Sequence, residues 1–248
     1  MTAREGELAK SLKAKNQPQL ITFVIANAVL VAVVILGFSK VLVIGDVVSK
    51  GNLAALGKFL AVPAVLSLIT GMIGWAMPRN VKETLVFWKT GKFCLPSCRA
   101  FTELGPADPR VDMTRLASRV GALPSAPAEQ TALWYRLYRG HGDEPSVEDA
   151  HGAYLKFREM THLSLVFSVV SMVAGGALHA PVRRMSAAVA ILVLEYLILM
   201  LAARNASNHL VLNVLALEGS VAEVRSTSNF VGKFDNVEQQ SDQRSKPS

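Results

Sequence analysis

Hydrophobic and polar positions follow each other along the chain in long blocks. Four blocks are strongly apolar, and each approaches the roughly 20 residues that a helix needs to cross a bilayer. The pattern predicts an all-α integral membrane protein with four transmembrane helices. We expect them to form two hairpins, residues 20–77 and 162–203, with spans at residues 20–38, 59–77, 163–180 and 186–203.

The polar blocks predict the remaining parts. Residues 1–19 form a cytoplasmic leader, and residues 78–161 form a mostly helical cytoplasmic domain inserted between the hairpins. Residues 204–225 retain apolar positions at helical spacing, which indicates a cytoplasmic or interfacial helix. Residues 226–248 are rich in Ser, Gln, Asn and Asp, and this composition is typical of a disordered tail.

The charge distribution predicts the orientation. The chain carries 26 Lys and Arg residues and a net charge of +7, and 21 of the 26 lie in the leader, the insert and residues 204–248. The positive-inside rule therefore places both termini and the insert in the cytoplasm. The insert contains twelve basic and ten acidic residues, so its composition gives no direct indication of nucleic-acid binding.

One carboxylate lies in the middle of the fourth apolar segment. A charged side chain at the bilayer centre costs about 2.5–3.5 kcal/mol on insertion scales, so Glu195 should face protein or water. Asn27, Ser67 and Ser171 are expected at a similar depth, which predicts a polar layer across the four helices. Glu195 either holds the bundle in register as a neutral, hydrogen-bonded group or lines a path for protons or cations.

Small residues recur at spacings of three and four in two of the apolar segments. Such stripes allow the backbones of neighbouring helices to approach closely in lipid. They predict packing between helices, or else a polar path or a contact between subunits. Their members are Ala64, Ser67, Gly71 and Gly74 in the second segment and Ser164, Ser168, Ser171 and Gly175 in the third.

The insert contains recognisable helix signals. Asp112 or Thr114 caps a short helix that Gly121 ends, and a second helix covers residues 128–139. A third helix, residues 147–160, leads directly into the third apolar segment.

The second helix of the insert carries an aromatic and basic cluster. Aromatic rings can stack on a nucleotide base while guanidinium groups hold its phosphate. The alternative interpretation is the apolar core of the insert, with arginines reaching solvent. The candidate ligand-binding residues are Trp134, Tyr135, Arg136, Tyr138 and Arg139.

Catalytic and metal-binding patterns are missing from the sequence. It contains no Walker A, GxGxxG, GxSxG or HExxH motif, and we assign His151, Asp108 and Arg110 to loop caps and salt bridges. The two cysteines, Cys94 and Cys98, lack the further ligands of a zinc site and are interpreted as ordinary thiols. We therefore expect neither an enzyme nor a cofactor or metal.

Three motifs of the insert carry a family resemblance. LPSCRAF at residues 95–101, DPRVD at 108–112 and EQxxLWYRLY at 129–138 resemble the cytoplasmic region of bacterial four-helix membrane proteins. Their plan is similar to that of membrane effectors in phage-defence operons, in which a nucleotide signal gates an oligomeric pore. The resemblance implies a bacterial inner-membrane protein but assigns a role to no individual residue.

Two functional hypotheses follow. In the first, a homo-oligomer in the lipid bilayer senses a nucleotide or a protein partner through the insert and gates a transmembrane pore. In the second, a non-conducting membrane anchor or scaffold recruits a cytoplasmic partner.

Overall fold

The computed structural model describes residues 3–36, 53–89 and 95–244, and within these ranges it contains helices and no β-strand. One 3-10 turn, one π-helical turn and a single α-turn follow one another at Pro96–Arg99, Ala100–Leu104 and Gly105–Ala107. The longer helices are α1 (Ala3–Leu36), α2 (Leu53–Ala76), α3 (Arg79–Phe87), α4 (Met113–Val120), α5 (Pro127–His141), α6 (Pro145–Ala177) and α7 (Val182–Arg244).

Three helical stretches in the described ranges are long and apolar enough to cross a membrane: Ala14–Ile35, Pro145–Ala177 and Val182–Ser220. The prediction of a helical, membrane-embedded chain is confirmed at this level. The predicted second span falls in α2, whose described apolar stretch, Pro63–Ala76, is shorter. The layout of four spans in two hairpins stays a prediction.

Helix boundaries differ from the sequence prediction at both ends of the chain. Helix α1 runs from Ala3 through Pro18 to Leu36, so most of the predicted leader and the first apolar segment form one helix. Helix α7 continues to Arg244, past residue 226, where the sequence predicts disorder. The end of the predicted first span and most of its link to the second span, residues 37–52, lie outside the described residues, as does the N-terminal part of the Cys94–Cys98 motif.

The chain divides into two compact units. Unit 1 comprises Met1–Leu95 and Glu148–Ser207, and unit 2 comprises Pro96–Val147 and Asn208–Ser248. Unit 2 thus combines the central part of the predicted insert with the second half of α7. Helices α6 and α7 each contribute residues to both units.

Unit 1 has a core shared by four helices. It contains Ala28, Val31 and Ile35 of α1, Leu66 of α2, Phe167 of α6 and Leu192 of α7. At Gly74 of α2, an added Cβ would lie 2.6 Å from Leu163 Cδ2 and 3.2 Å from His162 Nε2. Helix α2 therefore approaches α6 closely because residue 74 lacks a side chain.

Helix α3 is separate from α2. Pro78 disfavours helical backbone at Met77, so α2 ends at Ala76. Side chains of α7 bond the free carbonyls at the end of α3. Tyr196 Oη donates to Leu85 O at 2.8 Å, and Arg204 Nε donates to Val86 O at 2.7 Å.

Unit 2 packs α4 and α5 with the second half of α7. The Asp112 side chain caps α4 by accepting from Arg115 N at 2.9 Å, and the helix ends at Gly121, whose φ is 87°. Pro127 occupies the first turn of α5, a position where its missing N–H leaves no bond unmade. The buried apolar residues of unit 2 include Phe101, Val111, Leu116, Leu133, Val211, Val214 and Leu215.

Candidate functional site

A polar layer crosses unit 1 at Glu195. The half-buried carboxylate accepts a hydrogen bond from Asn27 Nδ2 at 3.2 Å on one oxygen and from Ser164 Oγ at 3.0 Å on the other. Three helices, α1, α6 and α7, therefore converge on one carboxylate.

Two of the four residues predicted for this layer meet, and two lie elsewhere. Ser171 Oγ donates to Phe167 O of its own helix at 2.6 Å, and Ser67 lines a groove described below. Ser164 was not predicted as a partner of Glu195. The pairing could have been predicted from the short connection at residues 178–181, because Ser164 and Glu195 lie the same number of residues before and after the centre of that connection.

A second polar group is a cluster of charges at the junction of α3 and α6. Lys82 Nζ lies 2.7 Å from Glu159 Oε2, and Arg158 Nη2 lies 2.8 Å from Glu159 Oε1. Arg158 Nη1 is 3.8 Å from Glu83 Oε1, and Glu83 also bonds Arg79. Lys82 and Arg158 are only 7% and 5% exposed, so both basic groups depend on these carboxylates for their solvation.

His162 packs against this cluster one helical turn after Arg158. Its Nδ1 lies 3.2 Å from Arg158 O, and its Nε2 lies 3.7 Å from Glu159 Oε2. The whole cluster was not predicted, because its members come from two segments that are far apart in the chain. The sequence does place one pair of adjacent opposite charges near the end of each of two apolar segments, at residues 82–83 and 158–159, and this pattern could have suggested the cluster.

An open groove of about 850 Å³ lies in unit 1 between α1 and α2, and the charge cluster forms one end of it. Aliphatic side chains form most of its walls. Its lining consists of Ala14, Gln17, Leu20, Ile21, Val24, Ile25, Ser67, Gly71, Gly74, Trp75, Met77, Arg79, Lys82, Arg158, Glu159 and Leu163.

In unit 2, the aromatic and basic cluster of α5 is divided between core and surface. Trp134 and Tyr138 are buried, and their rings stack with centroids 5.4 Å apart. Tyr135 is 37% exposed, and the Arg139 guanidinium lies 5.6 Å above its ring. Arg136 is exposed. A ligand could therefore reach Tyr135, Arg136 and Arg139, but not the two buried rings.

Ion pairs fix two further positions in unit 2. Glu218 of α7 bonds Arg119 Nη2 at 3.0 Å and His141 Nε2 at 2.7 Å, joining the ends of α4 and α5. In the loop before α4, the side-chain and backbone hydrogen bonds from Arg110 lower the pKa of Asp108 to about 2. Asp108 and Arg110 thus form a salt bridge within a loop.

The remaining candidates contribute little to a site. Cys94 lies outside the described residues, Cys98 is partly buried, and His151 is partly buried on α6. Within the part of the chain that the structure describes, no three His, Cys, Asp or Glu side chains are grouped so that they could hold a metal ion.

Comparison with known proteins adds no assignment. No protein-family model matches the chain, and neither the curated proteins nor the solved structures contain a match. The functional interpretation therefore depends on the geometry described above.

Proposed function

We propose that this chain forms an oligomeric membrane protein in which unit 2 senses a ligand or partner and unit 1 gates a transmembrane path. In this proposal the membrane part has four spans in two hairpins, and both termini and unit 2 face the cytoplasm. The resemblance of the insert to the cytoplasmic region of bacterial four-helix membrane proteins supports a place in the bacterial inner membrane, and the similarity of the overall plan to phage-defence membrane effectors supports a role in defence.

The observation that carries the proposal is the sharing of α6 and α7 between the units. Unit 2 contains the first three residues of α6 and all of α7 from Asn208 onward, and the remainder of both helices belongs to unit 1, so a ligand that changes unit 2 has a continuous helical backbone leading into unit 1. The same two helices supply Ser164 and Glu195 to the polar layer. A signal in unit 2 thus has a covalent route to the one carboxylate in the middle of the predicted fourth span.

One observation favours the second candidate function, a non-conducting membrane anchor. Within a single copy, Asn27 Nδ2 donates to one oxygen of the Glu195 carboxylate, and Ser164 Oγ lies 3.0 Å from the other and shares its proton between that oxygen and Leu192 O at 2.8 Å. A carboxylate satisfied in this way can hold three helices in register without contacting an ion.

Ion flux into liposomes separates the two functions. Glu195→Gln removes the charge but retains a group that donates and accepts hydrogen bonds, so it should leave oligomer size unchanged and alter flux at least about tenfold in a pore. Glu195→Leu should abolish flux. Ser168→Ala is the matched control, because Ser168 Oγ donates to the carbonyl of Ser164 in its own helix and contacts no charged group among the described residues.

Equal flux from the wild type and Glu195→Gln, or no flux from either, would exclude the pore and leave the anchor. The activating ligand is unidentified, so flux is measured with and without bacterial cytosolic extract. Oligomer mass in detergent is recorded for every variant.

A further inference from the structure

We propose that the groove between α1 and α2 binds one anionic phospholipid. Its phosphate would lie at the charged end of the groove, beside Arg79, Lys82 and Arg158. One acyl chain would extend along the apolar walls toward Gly71. This site is distinct from the Glu195 layer and does not require that the protein conduct ions.

The shape of the groove suits an amphiphile. Its volume of about 850 Å³ falls within the range of about 300–1,000 Å³ that is usual for ligand pockets. The walls are largely aliphatic, with Ile21, Val24 and Ile25 on α1 opposite Gly71 on α2. Polar side chains concentrate at one end.

The charge at that end is complementary to a phosphate. Among the lining residues, Arg79, Lys82 and Arg158 outnumber one carboxylate, Glu159. With the neighbouring Glu83 included, the cluster still has an excess of one positive charge. A bound phosphate would balance it.

One of the basic groups at this end is held firmly in place. Arg158 is 5% exposed, its guanidinium bonds Glu159, and its Cζ lies 5.6 Å above the Tyr154 ring. Phosphate oxygens are suitable acceptors for guanidinium groups.

The position of the charges along the helices favours a lipid over a soluble anion. The predicted second span ends at Met77 and the third begins at Leu163, and both residues line the groove. Arg79, Lys82 and Arg158 lie just beyond these ends, where lipid headgroups are found, and the apolar walls belong to the spans. A phospholipid satisfies both parts of the groove, whereas a free phosphate satisfies only one.

Two glycines provide a matched pair of variants. A Cβ added at Gly71 or at Gly176 would have no described neighbour within 4 Å, so leucine at either position should be accommodated. Gly71 lines the groove and Gly176 does not. Gly71→Leu therefore fills the place of the acyl chain, and Gly176→Leu controls for adding the same side chain to a helix. Arg79→Gln tests the headgroup end, where Arg79 is largely exposed.

The experiment is native mass spectrometry of the delipidated full-length protein with phosphatidylglycerol or phosphatidylcholine of identical acyl chains. We expect one tightly held phosphatidylglycerol per chain. Arg79→Gln should weaken its retention about fivefold, the usual effect of one basic residue near a lipid surface. Gly71→Leu should abolish retention, and Gly176→Leu should match the wild type.

Equal retention of the two lipids, or unchanged retention in Gly71→Leu, would overturn the proposal. Unchanged retention in Arg79→Gln would overturn the headgroup placement. In a further arm, inorganic phosphate is added at millimolar concentration; if it displaces phosphatidylglycerol completely, the groove binds a soluble anion instead of a lipid.

Discussion

Units 1 and 2 distribute polar and apolar groups in opposite ways. In unit 1, Val173 and Leu68 are 70% and 64% exposed, while Lys82 and Arg158 are buried. In unit 2, the apolar residues Leu116 and Leu215 are fully buried, and charged residues such as Arg136 lie at the surface. Large exposed apolar surfaces indicate contact with lipid or with other proteins. The two units therefore expose different kinds of surface to their surroundings.

The contrast predicts that equal charge changes have unequal effects in the two units. Glu159→Gln leaves Lys82 and Arg158 buried without their shared carboxylate, and we expect a loss of about 3–5 kcal/mol in the free energy of unfolding. Its control is Glu103→Gln in unit 2, which breaks an exposed pair with Arg99 and should cost about 0–1 kcal/mol. Thermal unfolding in detergent measures both, and similar losses would contradict the comparison.

Truncation of the buried aromatic residue Trp134 should strongly lower the stability of unit 2. Trp134 is buried, its ring stacks on Tyr138, and its Nε1 donates to Val211 O at 3.4 Å. Trp134→Ala should therefore destabilise unit 2 by about 3–5 kcal/mol.

Tyr135→Ala is the control, because this neighbouring ring is partly exposed and should cost about 1 kcal/mol or less. Hydrogen exchange in the full-length protein reports on unit 2 separately. If Trp134→Ala and Tyr135→Ala reduce the hydrogen-exchange protection of unit 2 equally, the buried aromatic core is not the main source of its stability.

Several local features of the fold were predictable from the sequence. Local signals were sufficient for Gly121 as the end of a helix, for the α5 helix and for the long apolar helices, because each depends on neighbouring residues. The continuity of α1 was not predicted, because the change from a polar to an apolar block indicated a boundary at residues 19 and 20, whereas one helix runs through Pro18 and both blocks.

Contacts between distant segments were harder to predict. The pairing of Glu195 with Asn27 could be predicted from their similar depth in the apolar segments. The pairing with Ser164 depends on the register of α6 and α7, which the connection at residues 178–181 sets. The cluster of Lys82, Arg158 and Glu159 required knowledge that α3 packs on α6, which no local pattern contains.

A smaller effect sharpens the assignment of one helix cap. The sequence left Asp112 and Thr114 as alternatives, and the structure selects Asp112. Asp112→Ala should destabilise α4 by about 1 kcal/mol, whereas Thr114→Ala should have little effect. Hydrogen exchange of residues 113–120 provides the measurement, and the opposite order of the two variants would make Thr114 the cap.

The smallest expected effect is a pH dependence confined to unit 2. The pKa of Asp108 is lowered to about 2 by its bonds with Arg110, below the usual 3.8. A lowered pKa stabilises the folded state above the usual value, and this contribution disappears as the pH falls from about 4 toward 2. The difference in thermal midpoint between the wild type and Arg110→Gln should therefore be largest at pH 6 and clearly smaller at pH 2, where about half of Asp108 is protonated in the folded state. A difference at pH 2 as large as that at pH 6 would show that Arg110 acts through other contacts.

The close approach of α2 to α6 at Gly74 has a consequence for how this protein can vary. Every amino acid that one nucleotide change can substitute for glycine carries a Cβ, and at this position the Cβ meets the buried Leu163 and His162. One turn earlier on the same helix, Gly71 faces open space and accepts the same changes. Random mutagenesis under selection for a folded protein should therefore recover fewer substitutions at codon 74 than at codon 71, and mainly small ones such as alanine at codon 74.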